Sequence, residues 1–211
     1  MMPLPRFPRR AAALATMLAL GACSSLFGGP PENLYRLASR HSFPASLPRR
    51  DVRLVVDVPG ASPGLDTTRI ALIRPPVSFD YFADSAWTAR APLVVHAALL
   101  ESFENSRRLT VLDRDSFEAG SDFVLRTELR HFEAEYDSAA APPQARVAIR
   151  VRLVSAGERR IVAEAAFAGR EKAAANDVPH VVAALNDALG GVIDEIVAWT
   201  LANPALSAAR R

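Results

Sequence analysis

The chain has 211 residues, of which half are hydrophobic and 23% are charged. This balance allows one ordinary domain with a substantial core and excludes a chain that is disordered throughout. The formal charge is only +2, and Lys172 is the single Lys beside 24 Arg, so the composition does not indicate a nucleic-acid partner.

Residues 1–22 have the organisation of a secretory signal segment. Arg6, Arg9 and Arg10 precede an uncharged, mostly apolar stretch over residues 11–22. That stretch is shorter than the roughly 20 residues that a membrane-spanning helix needs. We therefore predict that the segment directs export and is then removed.

The last four residues of this region, Leu20, Gly21, Ala22 and Cys23, match a bacterial lipobox. The thiol can take a diacylglyceryl group, the small residues give a lipoprotein peptidase access to the bond before Cys23, and the freed amine can be acylated. Several acyl chains on one residue are enough for stable anchoring. We predict that Cys23 is the lipid-attachment site; the alternative is an ordinary signal peptide with a stray Cys near its cleavage site.

Cleavage before Cys23 would leave 22 basic and 23 acidic residues, which lowers the formal charge from +2 to −1. Cys23 is the only Cys, so the exported domain must be stable without a disulfide. The lipid on Cys23 is the only non-protein group that we expect. By resemblance to enterobacterial sorting, Ser24 in place of Asp favours the periplasmic face of the outer membrane.

The mature chain is predicted to consist of a lipidated tether at 23–32, one domain at 33–203 and a frayed tail at 204–211. Strands are expected near 33–37, at 52–58 and at 69–74, followed by a short extended piece at 77–82. A helix from Pro92 to about Asn105 and a strand at 109–112 come next. A strand, a helix and a strand in this order predict a right-handed parallel crossover between 69–74 and 109–112.

The second half predicts an antiparallel meander of three strands with one buried face. The first covers 123–136, where a shift of the apolar positions indicates a bulge near Arg130 and His131; the others cover 147–153 and 161–167. Asp177 is placed to cap a closing helix with Pro179 in its first turn, and Asn203-Pro204 ends it. We attribute Gly190 and Gly191 to close packing of this helix on the sheet, or to a kink.

The fold class is therefore a single α/β domain, with a mixed sheet of about six strands, a C-terminal antiparallel meander and two long helices packed on the sheet. Motifs for chemistry are scarce. His41, His96, His131 and His180 show no metal-ligand spacing, and the sequence lacks a glycine-rich phosphate loop. Asp113 and Asp115 could form an acid–base pair in a hydrolase, but a loop and helix cap explains them better.

Two further groups of residues could serve a partner. Arg146, Arg150 and Arg152 alternate along one strand face and could bind anionic lipid, although pairing with acids on neighbouring strands is the commoner arrangement. The acids available are Glu128, Glu133, Glu135 and Glu164. Tyr81 and Trp87 are candidate anchors of a partner interface; core packing beside the first helix is the alternative.

Several segments together resemble the ABC-type transport auxiliary lipoprotein family. They are NLYRL, GLDTTRIALIR, the run from Phe79 to Ser106, and DFVLRTELRHFEAEY, over residues 33–202. The family positions fall on Tyr35, Leu37, Leu65, Asp66, Ile70, Arg74, Tyr81 and Trp87. Thr67 and Thr68 depart from the pattern in a turn.

The resemblance implies a non-enzymatic outer-membrane lipoprotein in a lipid transport system. Its partners would be a periplasmic mammalian-cell-entry (MCE) protein and, through it, an ABC permease and ATPase; self-association into a homo-oligomer stays open. The alternative is a lipoprotein that regulates or assembles another envelope machine, such as a peptidoglycan synthase or a secretion complex. A tether of about nine residues argues against a long reach across the periplasm.

Overall fold

The computed structural model describes residues 33–112, 120–138 and 141–208. These ranges contain nine strands, two long helices and a final short helix. The strands are β1 (Asn33–Tyr35), β2 (Arg53–Val56), β3 (Gly60–Ala61), β4 (Arg69–Arg74), β5 (Ser78–Trp87), β6 (Thr110–Leu112), β7 (Phe123–Glu135), β8 (Gln144–Ser155) and β9 (Arg160–Lys172). The helices are α1 (Ala91–Ser106), α2 (Val178–Ala202) and α3 (Ala205–Ala208).

The long strand β7 organises the sheet. Antiparallel β8 occupies one of its edges over the whole length of β7, and β9 continues the meander beyond β8. Because a strand has only two edges, the parallel partners β2, β3 and β4 follow one another along the other edge. β6 lies beside β2, while β5 and then β1 lie beside β4. The mixed α/β fold and its C-terminal meander are thus confirmed.

The predicted number of strands is wrong, whereas the parallel direction predicted for 69–74 and 109–112 is confirmed. The sheet has nine strands instead of about six, because the two-residue strand β3 was not predicted and residues 78–87 form a full strand. The strands at 69–74 and 109–112 are parallel but not adjacent, since β7 and β2 lie between them. The turn at Pro75 and Pro76 reverses the chain, so that β5 pairs back onto β4 before α1 begins.

The predicted bulge in β7 is confirmed. The register with β8 shifts between Leu129 and His131. The backbone N–H of Phe132 donates to the carboxylate of the buried Glu133 at 2.6 Å, and the same carboxyl group contacts His131. A side chain of β7 itself therefore satisfies a backbone donor at the irregularity.

Both long helices contribute to one core against the sheet. Leu99 and Phe103 of α1 and Leu185, Ile193 and Ile196 of α2 are fully buried there. Asp177 caps α2 as predicted, because its carboxylate accepts the backbone N–H of His180 at 3.0 Å. Within the described residues, no helix is long and apolar enough to cross a membrane.

The close packing on the sheet that was offered as one explanation for Gly190 and Gly191 is wrong. A Cβ at Gly191 would meet nothing within 4 Å, and the atoms nearest to one at Gly190 belong to the side chain of Arg40 and not to the sheet. The close approach between helix and sheet is instead at Gly169 of β9, where a Cβ would lie 2.7 Å from the carbonyl oxygen of Ala188. The glycine is required on the strand, because the backbone of α2 passes directly over it.

The prediction of a frayed tail also needs correction for residues 204–208. The chain leaves α2 at Asn203 and forms α3, where Leu206 is buried in the main core. The amide oxygen of Asn203 accepts the backbone N–H of Ala205 at 3.0 Å. Leu206 and the partly buried Ala205 therefore pack this turn against the domain.

Candidate docking surface

The residues that carry the family resemblance divide into a buried group and an exposed group. Leu65, Ile70 and Trp87 are almost completely buried, Trp87 with 2% of its surface exposed. The Trp87 ring packs against Phe132 of β7 with the ring centroids 5.3 Å apart. This burial favours the core-packing interpretation of Trp87 over the interface interpretation.

Tyr81 occupies a different position, half-buried on the hairpin formed by β4 and β5. Its hydroxyl donates to the carbonyl oxygen of Gly64 at 3.0 Å, and the Arg69 guanidinium carbon lies 3.9 Å from the centre of its ring. Phe79 meets the same ring edge-on, with centroids 5.5 Å apart. These contacts hold an aromatic ring and a cation in a fixed arrangement at the surface, which is a combination that protein interfaces favour.

The loop at residues 62–66 completes this surface, which we call the Tyr81 surface and define as Gly64, Arg69, Phe79 and Tyr81. A Cβ at Gly64 would lie 3.3 Å from the Phe79 ring, so a glycine lets the loop approach the hairpin. Next to it, Asp66 pairs with Arg90 at 2.8 Å. Sequence reasoning singled out Tyr81 but missed Arg69 and Phe79. The Pro75-Pro76 turn between the extended runs at 69–74 and 77–82 is the signal that would have predicted the pairing of β4 with β5.

The other exposed charge of the family pattern, Arg74, is also held in place. Its guanidinium lies 3.3 Å from the Asp80 carboxylate across the hairpin and 5.7 Å from the ring centre of Tyr136. An arginine paired in this way contributes little net charge to the surface. It fixes the spacing of the two strands where the hairpin leaves the sheet.

The arginine row on β8 is a charge ladder, as the commoner alternative predicted. Arg146 pairs with Glu135, and both Arg150 and Arg152 pair with Glu164. Burial opposes ionisation of Glu135, but the hydrogen bond and charge of Arg146, aided by Arg170, hold its pKa below 4.5. For Glu164, the hydrogen bond from Arg150 is the main cause of a lowered pKa.

The two remaining acids are used differently. Glu128 pairs with Arg130 of its own strand, and the buried Glu133 serves the bulge. Because Arg150 and Arg152 share the single carboxylate of Glu164, these pairs reduce the positive charge of the row without cancelling it.

Each of the four histidines has a local partner. His96 contacts the backbone oxygen of Val56 at 2.9 Å, and His180 contacts its capping residue Asp177. His131 contacts Glu133, and His41 contacts Asn105. In the described parts of the chain, these residues and the acids do not assemble into a group of three that could hold a metal ion. Asp113 and Asp115 lie outside the described residues.

The comparisons with known proteins agree with this architecture. The model of the family described as ABC-type transport auxiliary lipoprotein component matches residues 35–197, and the chain belongs to this family. The protein XCC0632 from Xanthomonas campestris, of the family DUF330, is 25% identical, with 80% of this chain and 94% of that chain covered at a TM-score of 0.74.

A more distant structure shares the fold alone. The hypothetical protein CT253 from Chlamydia trachomatis is 10% identical, with 75% of this chain and 99% of that chain covered at a TM-score of 0.52. No curated protein matches the sequence significantly. The family match over residues 35–197 identifies the protein as a membrane-associated lipoprotein component of an ABC transport system. The lipobox and Cys23 lie outside the described residues.

Proposed function

We propose that the protein is a non-enzymatic lipoprotein of the outer membrane that docks an MCE-domain protein for lipid transport between the inner and outer membranes. The observation that carries the proposal is the family match over residues 35–197. It covers nearly the whole predicted domain and begins twelve residues after the lipobox cysteine. An auxiliary protein anchored by Cys23 holds a periplasmic partner near one membrane, while the permease and ATPase act in the other.

The Tyr81 surface is our candidate for the docking site. Its ring is already fixed by Gly64 and Arg69, so binding would cost little side-chain entropy. Trp87 supports this surface indirectly. It anchors the end of β5 in the core, and the same strand carries Tyr81. Homo-oligomerisation stays a prediction that a molar-mass measurement on the lipidated protein would test.

The test is site-specific photocrosslinking in the native envelope. A photoreactive phenylalanine analogue replaces Tyr81 in one variant and Phe167 in the control. Phe167 is also a half-buried aromatic on a strand, where it packs against Trp199. We expect an MCE-domain protein to be crosslinked from position 81 and not from position 167.

Mass spectrometry of the crosslinked partners separates the alternatives. Recovery of a peptidoglycan synthase or a secretion component, without an MCE protein, would refute the proposal and support the other envelope role. Recovery of the MCE protein from position 167 alone would keep the function and move the docking site to the meander. The variant Cys23→Ser should release the protein from membranes into the soluble periplasmic fraction.

A further inference from the structure

The hairpin of β4 and β5 ends in an exposed apolar turn. We call residues Pro75–Phe79 the hairpin tip. Every residue from Arg74 to Asp80 is exposed, with Val77 83% and Phe79 45% accessible. Val77 is the most exposed of the large hydrophobic residues in the described chain, and nothing in the fold of one domain explains its position.

The tip is built to tolerate an apolar environment. Pro75 and Pro76 have no backbone N–H, so the turn carries fewer donors that would lose hydrogen bonds away from water. Arg74 and Asp80 pair at the base of the tip, and the segment therefore has no net charge. The tip therefore combines two prolines, a valine and a phenylalanine with a paired arginine at its base. This composition is more typical of a segment that inserts shallowly into a membrane interface than of a solvated turn.

The direction of β1 shows from which end of the sheet the chain enters the described domain. β1 runs parallel to β5, and β5 begins at the tip, so the chain enters β1 from the tip end of the sheet. Leu34 is level with Ala86, and Ala86 is level with Arg69. Ser78, at the tip end of β5, pairs with Arg74, which lies five residues after Arg69 on β4. At about 3.3 Å per residue, the level of Ser78 is therefore about 17 Å along the sheet from the level of Leu34.

The tether is long enough to reach the membrane beside the tip. The ten residues 23–32 span at most about 33–36 Å when fully extended. This length exceeds the distance from β1 to the level of Ser78. A lipid on Cys23 and the hairpin tip can therefore contact the same leaflet without any change in the described domain.

We propose that the hairpin tip is a second membrane contact, in which Pro75, Pro76 and Val77 enter the interface of the phospholipid leaflet that holds Cys23, while Phe79 stays packed on Tyr81. This inference rests on the proposed lipid anchor. Two contacts, the acyl chains and the tip, orient the domain with β4 and β5 pointing at the membrane. The turn between β8 and β9, at the opposite end of the meander, then points into the periplasm.

Depth-dependent quenching on vesicles tests the contact. Because Cys23 is the only native Cys and its thiol would carry the lipid, Val77→Cys gives the lipidated full-length protein one free thiol for an environment-sensitive fluorophore. The vesicles contain phosphatidylethanolamine and phosphatidylglycerol with a nitroxide on the acyl chains. Glu158→Cys, in the exposed turn between β8 and β9, is the control.

We expect a blue shift and about twofold or stronger quenching at position 77, since interfacial segments lie about 5–10 Å deep in the leaflet. Position 158 should show neither. A label at 77 that stays in water on protein that floats with the vesicles would overturn the tip contact and leave the anchor intact. Protein that does not float would overturn the anchor and this proposal together.

Hydrogen exchange on the protein without a label gives a second readout. The amides of residues 77–80 should exchange more slowly on vesicles than in detergent-free solution of the Cys23→Ser protein. Val77→Asp should remove this protection, while Ile161→Asp, at a 51% exposed residue near the far end of the meander, should not. Protection that appears only after an MCE protein is added would identify the tip as a protein contact and overturn the proposal.

Discussion

Replacing Gly169 with Ala tests how closely α2 packs on the sheet. A Cβ at this position would lie 2.7 Å from the carbonyl oxygen of Ala188 and 3.1 Å from Cγ2 of Val192. The first contact is with backbone, which a change of rotamer cannot relieve. Either α2 or the edge strand β9 must shift, and overpacking of this kind costs about 1–3 kcal/mol of unfolding free energy.

Gly191→Ala is the matched control, because it adds the same methyl group to α2 at an exposed position. No atom lies within 4 Å of a Cβ at this position, and Ala in a helix interior is favoured over Gly by about 1 kcal/mol. The two substitutions should therefore change the unfolding free energy in opposite directions.

Urea unfolding of the mature Cys23→Ser chain, followed by circular dichroism, measures both effects. In a protein of this size each kcal/mol corresponds to about 2–4 °C in Tm, so a thermal scan checks the result. If Gly169→Ala matched the wild type, or if both variants lost the same free energy, the close approach of α2 to β9 would be refuted.

Three further predictions concern the core, an ion pair and a helix cap. Trp87→Ala should lower the unfolding free energy by about 3–5 kcal/mol in the same urea assay, because it leaves a cavity beside Phe132; a loss below about 1 kcal/mol would contradict a core role. Glu135→Gln should lower stability at pH 7 by about 1 kcal/mol. The folded-state pKa of Glu135 is below 4.5. The difference in stability between Glu135→Gln and the wild type should therefore persist above pH 4.5 and disappear as the pH falls through the folded-state pKa. A difference in stability that stays constant down to acid pH would exclude the ion pair as its cause. Asp177→Ala should lower Tm by removing the acceptor for the N–H of His180, whereas Asp177→Asn, which keeps a capping oxygen, should change Tm little.

Local patterns in the sequence predicted most of the elements correctly. The strand at 69–74 has the predicted bounds, α1 begins one residue before Pro92, and the cap at Asp177 is the one expected. The bulge near Arg130 followed from a one-residue shift in the alternation of apolar residues. These features depend on side-chain period, capping atoms and the fixed φ of proline, all of which act over a few residues.

Pairing between distant strands was not predictable in the same way. The alternation of β4 shows that one of its faces is buried, but it does not say which strand lies at its edge. On one edge, the neighbour depends on the Pro75-Pro76 turn, which directs β5 back along β4. On the other edge, it depends on which of β2, β3 and β4 pairs with which part of β7. For the same reason the sequence grouped Tyr81 with Trp87, although the structure buries Trp87 and leaves Tyr81 at the surface.

The sequence alone determined the features that are local or chemical: the lipobox that predicts lipidation at Cys23, the two long amphipathic helices and the antiparallel meander. Only the tertiary structure decided the features that depend on non-local approach. It placed the required glycine at Gly169 rather than inside α2, paired the arginines of β8 with particular acids, and brought Arg69 onto Tyr81. It also aligned the entry into β1 with the exposed tip at Val77. Local patterns are fixed by neighbouring residues, whereas these contacts join residues from separate strands and helices that only folding brings together.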